Sequence, residues 1–152
     1  MARKLRIYLD TSVVSAYFDD RDPSRQALTV AFWEKITLFE AYVCPVMERE
    51  IKQTVDDQRK KDMLQLVETL SVLSWEDEME ELARSYVDAA VFGGSMLDDA
   101  RHVAACVVSN IPILLSWNFR HLVNRRRRNQ VNLLNLEKGY QEIEIIAPPE
   151  LT

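Results

Sequence analysis

Leu5, Ile7 and Leu9 alternate along the chain and stop at Asp10-Thr11-Ser12, which predicts a short strand ending in Asp10 and a helix opening at Thr11 or Ser12. Asp22-Pro23-Ser24 reads as a turn, after which Leu28, Phe32, Ile36 and Phe39 recur at helical spacing. Ala41 to Cys44 is a second apolar run, and Pro45 stands where a helix can begin, so Val46 to Thr54 reads as helix. Met63, Leu66, Val67 and Leu70 predict another helix, leading to a brief apolar run at Val72 and Leu73. From Glu76 an acidic helix carries Met79, Leu82, Ala83 and Tyr86 on one face until Gly93-Gly94. Ser95 to Ser109 reads as helix, Ile113 to Leu115 as strand, Arg125 to Leu136 as helix, and Ile143 to Ile146 as a last strand before Pro148-Pro149.

Strands that alternate with helices predict a three-layer α/β/α sandwich around a mostly parallel sheet. At 152 residues, with no repeat and no composition break, residues 1–152 are expected to form one domain. Neither a signal peptide nor a membrane span is expected, because the basic start is followed by only three apolar residues before Asp10. Cys44 and Cys106 sit in apolar surroundings without CxxC spacing and read as reduced core thiols of a cytoplasmic protein.

The formal net charge of −5 argues against a nucleic-acid partner, but its distribution changes that picture. Acids concentrate between Glu76 and Glu81, whereas Arg125 to Arg128 form an unbroken basic run after Arg120 and His121. A local positive patch of that kind can hold a phosphate backbone, although four consecutive arginines cannot all face one groove.

Four polar residues stand where apolar patterns end or are interrupted: Asp10, Glu50, Asp99 and Asn118. Asp10 is either an N-cap or a ligand at a strand end. Glu50 shares a helix face with Val46, Met47 and Thr54, while Glu48 pairs at i,i+4 with Lys52. Asp98 has capping-box spacing from Ser95, which leaves Asp99, on the side of Val103 and Cys106, to point inward. His102 reads as a packing residue more readily than as a substrate contact. Asn118 either closes a turn or offers an amide oxygen. Carboxylates gathered at buried element ends suit hard cations held through oxygen.

Leu9-Asp10-Thr11-Ser12, Pro45 to Ile51, Asp99 to Ala105 and Ser116 to Leu122, in that order and at these intervals, resemble the PIN-domain nucleases, including the VapC-like toxins of toxin–antitoxin pairs. The resemblance spans nearly the whole chain. It implies Mg²⁺- or Mn²⁺-dependent hydrolysis of RNA, with Asp10, Glu50 and Asp99 as metal-binding acids and Thr11 or Ser12 as a nearby hydroxyl. Asn118 matches a place where many members have Asp. Thr11, Ser12, Arg120, Arg125 and Arg126 are expected to bind substrate, an antitoxin to be a partner, and the protein to be a homodimer. A PIN-like RNA-binding module that cleaves poorly, with Asn118 as its sign, is the alternative. An enzyme acting on another phosphorylated substrate is a third reading.

Overall fold

A computed structural model describes residues 3–151; Met1 and Ala2 of the basic start and Thr152 lie outside them. Five strands, β1 (Leu5–Leu9), β2 (Phe39–Val43), β3 (Ser71–Val72), β4 (Ile113–Leu115) and β5 (Glu144–Ile146), form one sheet in the order β3-β2-β1-β4-β5. Every pairing is parallel, with Ile7 opposite Ala41 on one side and Ile113 on the other. Seven helices lie between the strands: α1 (Ser12–Phe18), α2 (Pro23–Glu34), α3 (Pro45–Lys52), α4 (Asp57–Val67), α5 (Asp77–Asp88), α6 (Leu97–Val108) and α7 (Arg125–Glu137).

Strand side chains alternate between the two sheet faces, and both faces are buried. Tyr8, Leu114 and Ile145 pack with Met79, Leu82, Val103, Ala104 and Val131, placing α5, α6 and α7 on one face. Ile7, Leu9, Ile113 and Leu115 pack with Val13, Phe32, Met47, Ile51 and Met63, placing α1 to α4 on the other. These two cores on either side of one sheet make the expected three-layer α/β/α architecture.

Several boundaries differ from the pattern reading. The helical spacing through Ile36 and Phe39 overshoots, because α2 ends at Glu34, Ile36–Leu38 is a 3₁₀ turn and Phe39 already opens β2. The last helix before Gly93 ends at Asp88, well short of the glycines, where Ala90 adopts φ 59 and the Val91 N–H bonds the Tyr86 carbonyl. Ser95 forms no capping box with Asp98; Met96 is the N-cap of α6 and makes no side-chain bond. Asp98 is free to pair elsewhere, with Arg49 and with Arg101 at 2.8 Å.

Strand β5 is an edge strand, and α7 closes it. The side-chain amide of Asn132 donates to the Ile143 carbonyl and accepts from the Ile143 N–H, both at 2.9 Å, while Arg128 donates to the Ile145 carbonyl at 3.1 Å. Arg128 is thereby committed to the backbone, so the basic run is divided by orientation, as 100° per residue requires.

Candidate active site

The strand order reverses between β1 and β4: the chain leaves β1 toward β2 and β3 on one side and reaches β4 and β5 on the other. Ligands of open parallel sheets gather beyond the carboxyl ends of the strands at such a switch point. Asp10 follows β1 and Ser116-Trp117-Asn118 follows β4, so both sequence segments flank it.

Asp10 is buried, yet its carboxylate caps no helix. It accepts from the Ser116 hydroxyl at 2.6 Å and the Ser12 hydroxyl at 3.0 Å, and Ser12 in turn accepts from the Trp117 N–H at 2.8 Å. These bonds tie the end of β1 to the end of β4 and fix the direction of the carboxylate, whose Oδ1 lies 3.9 Å from His102 Nε2.

Glu50 sits on α3, facing α6. Its Oε1 accepts from the Thr11 hydroxyl at 2.8 Å and from His102 Nε2 at 2.6 Å. A carboxylate only accepts, so Nε2 carries a proton. On the other side of the ring, Nδ1 lies 2.7 Å from the Tyr8 hydroxyl, which donates to Cys44 Sγ at 3.0 Å. The Tyr8 hydroxyl thus bridges His102 Nδ1 and Cys44 Sγ. Burial opposes a charge on the ring, but Cys44, Glu50 and the field of Asp10 outweigh it and raise the His102 pKa well above its ordinary value. Burial also works against ionised Glu50, and the bond and charge of His102, followed by the Thr11 hydroxyl, bring its pKa below the ordinary value. His102 is fully buried and bonded at both nitrogens, a satisfied packing residue that also orients Glu50.

Asp99, on the first turn of α6, has the opposite balance. Burial first, then the charge of Asp10, raise its pKa, and the His121 contact offsets only part of this. His121 Nδ1 donates to Asp99 Oδ2 at 2.9 Å. The His121 backbone N–H is bonded at 2.9 Å by the Asn118 side-chain oxygen, so Asn118 closes the turn that aims His121 at Asp99.

Arg120, Arg125 and Arg126 are exposed, and Thr11 and Ser12 face the carboxylates rather than solvent. His102, Ser116, His121 and Tyr8 complete the arrangement, and the sequence reading did not assign them to it. His102, Ser116 and His121 fall within the Asp99-to-Ala105 and Ser116-to-Leu122 motifs, whereas Tyr8 carried no sequence signal.

Asp10 and Asp99 suit a hard cation: both are oxygen donors, and their mutual repulsion is what a cation relieves. Glu50 is engaged by His102, and the Asn118 oxygen by a backbone N–H. Among the described residues no three acidic, histidine or cysteine side chains converge as a ready metal site. The donors therefore fit a cation at two carboxylates; Glu50 uses Oε1 alone for Thr11 and His102, and the Asn118 oxygen is turned to an internal partner.

Fold and site together define a doubly wound parallel-sheet α/β protein with an acidic centre at its switch point. No protein-family model and no curated protein matches the chain in sequence. Among solved structures it is similar to FitAcB from Neisseria gonorrhoeae, with 13% identity and a TM-score of 0.59 over 95% of this chain and 99% of that one. It is also similar to VapBC2 from Rickettsia felis bound to a DNA fragment from their promoter, with 10% identity and a TM-score of 0.53 over 76% and 90% of the two chains. At these identities the likeness is one of fold. Among the described residues no helix is long and apolar enough to cross a membrane.

Proposed function

We propose that this chain is a metal-dependent endoribonuclease that hydrolyses RNA phosphodiester bonds, acting in the cytoplasm as the toxin of a toxin–antitoxin pair. The observation that carries the reading is the pair Asp10 and Asp99 at the switch point, where burial and the neighbouring charge push the Asp99 carboxyl up and no arginine neutralises either acid. The motif resemblance to VapC-like toxins and the shared fold with FitAcB and VapBC2 support it.

Mg²⁺ or Mn²⁺ held by Asp10 and Asp99 would supply a polarised phosphate and a water acidic enough to attack it. The chain's own contribution is orientation. Ser12 and Ser116 hold Asp10, and His121 holds Asp99, without cancelling either negative charge. Glu50 commits Oε1 to Thr11 and His102, which leaves Oε2 as the oxygen a third carboxylate ligand would offer. Arg120, Arg125 and Arg126 bind the backbone phosphates of the substrate from outside the cluster. An antitoxin protein and a second copy of the chain are the proposed partners.

Purified protein is to be incubated with a mixed set of structured RNAs in Mg²⁺, Mn²⁺ or EDTA, with Asp99→Asn beside it. Cleavage that needs both metal and Asp99 supports the nuclease; undiminished cleavage in EDTA or by the variant overturns it. The turning of the Asn118 amide oxygen to the His121 N–H favours a second reading, an RNA-binding module without turnover. Firm RNA binding with no cleavage in either metal would select that reading.

A further inference from the structure

Beside the acidic centre lies an open cavity of about 480 Å³ between the Ala90–Gly93 turn, Phe119–Arg120 and the first turns of α7. Its walls include Arg120, Arg126 and Arg127 and no carboxylate, in a chain whose formal net charge is −5. Three arginines lining one concavity focus positive potential there. The N-terminus of α7 adds to it, because a helix leaves its first N–H groups without carbonyl partners.

Two side chains in this cavity lack the partners their chemistry calls for. Arg127 is laid over the Phe92 ring, with Cζ 4.5 Å from the ring centroid, and its Nη1 is shielded from solvent with no acceptor among the described residues. A shielded guanidinium N–H without an acceptor is costly, and a phosphate oxygen is the acceptor that fits it best. Phe119 leaves 55% of its surface open, held at 72° to the Trp117 ring with centroids 6.1 Å apart. An exposed aromatic ring among arginines is a platform for an unpaired base.

The cavity and the acidic centre share one turn. The Asn118 side chain closes that turn onto the His121 N–H, sending His121 inward to Asp99 while Phe119 and Arg120 line the cavity. Arg127 also feels the charge of Asp99, so the two regions adjoin.

We propose that this cavity is a subsite for one nucleotide of single-stranded RNA flanking the scissile bond, its phosphate held by Arg120, Arg126 and Arg127 and its base stacked on Phe119. The subsite rests on the ribonuclease reading above and names how that substrate is gripped. A carboxylate-free, arginine-lined wall with a shielded unpaired N–H favours a phosphate ligand over a protein surface.

The test measures binding of a fluorescein-labelled single-stranded RNA hexamer in EDTA, so that no metal-dependent cleavage intervenes. Phe119→Ala is expected to weaken binding about tenfold, within the range for losing one base–aromatic stack, and Phe119→Trp to restore it. Arg126→Ala is expected to weaken binding and flatten its salt dependence by about one phosphate contact. The thermal midpoint of Phe119→Ala should match that of the parent chain, because the ring is exposed. If the parent chain binds RNA and both alanine variants bind equally well at the same salt slope, the subsite is overturned while the ribonuclease reading stands, and the face is left for a protein partner. If the parent chain does not bind the hexamer at all, both fall.

Discussion

Asp98 and Asp99 are neighbours on the first turn of α6 and keep opposite electrostatic company. Asp98 is held by Arg49 and Arg101, and Arg101 continues to Glu80 at 3.0 Å, so that net charge is cancelled along the outer side of α6. Asp99 feels the charge of Asp10, and the imidazoles of His121 and, more weakly, His102 are set against it. The pKa of Asp98 is lowered: burial works against its charge, and the bonds from Arg101 and Arg49 outweigh burial. That of Asp99 is raised by burial and by Asp10. One carboxylate stabilises the fold as it stands, whereas the other is kept at a disadvantage that a cation would remove, which is the signature expected of a functional acid.

Cleavage gives the sharpest separation of the two. Asp99→Asn is expected to lower metal-dependent RNA cleavage by about 100- to 1,000-fold, the usual loss when a group that stabilises developing charge is removed. Asp98→Asn should stay within about twofold, since exposed ion pairs contribute little. Equal losses in a steady-state cleavage assay would erase the distinction.

The next largest effect concerns the imidazole between the two sides. His102→Ala removes a partner of the Tyr8 hydroxyl and of Glu50 together. It is expected to cost about 2 kcal/mol in urea unfolding, from the cavity left and the bonds lost at a buried hydroxyl and a partly buried carboxylate, which keep Cys44 and Thr11 as partners. A loss below about 0.5 kcal/mol would show that the bonds at His102 do not hold the centre together.

The smallest effects have opposite signs. Because the folded-state pKa of Asp99 is raised, its ionised form is a liability at neutral pH that disappears as pH falls through that pKa. Asp99→Asn should therefore melt roughly 1 to 3 °C higher at pH 7, with the gap closing in the carboxylate range. Asp98 has a lowered pKa, so its contribution is present above the unfolded value and is lost as pH falls through the folded one. Asp98→Asn should melt slightly lower at pH 7, by no more than about 1 °C, because its side chain is 40% exposed and its pairs are screened. Melting curves of both variants from pH 7 to pH 3 would test the two signs together.

Most of the sheet and the positions of Asp10, Glu50 and Asp99 were legible because each depends on local pattern: an alternating run that stops at Asp10, and helix faces on which Glu50 and Asp99 sit among apolar neighbours. The start of β2 was not, because Ile36 and Phe39 keep helical spacing past the end of α2 and no Gly or Pro marks the break. β3 has two exposed residues and so almost no pattern to read. His102 was read as packing, and its hold on Glu50 was not legible because Glu50 and Tyr8 lie 52 and 94 residues away. The arginine run told of charge but not of aim: Arg128 serves a β5 carbonyl, and Arg127 lies over Phe92.

The closure of β5 by α7 bears on how the protein behaves when concentrated. An open edge strand is a template on which further copies can stack without limit, and Asn132 and Arg128 occupy the backbone groups such growth would use. Their replacement by alanine would leave the fold's centre intact and make the chain prone to aggregation, a cost borne in solubility rather than in chemistry.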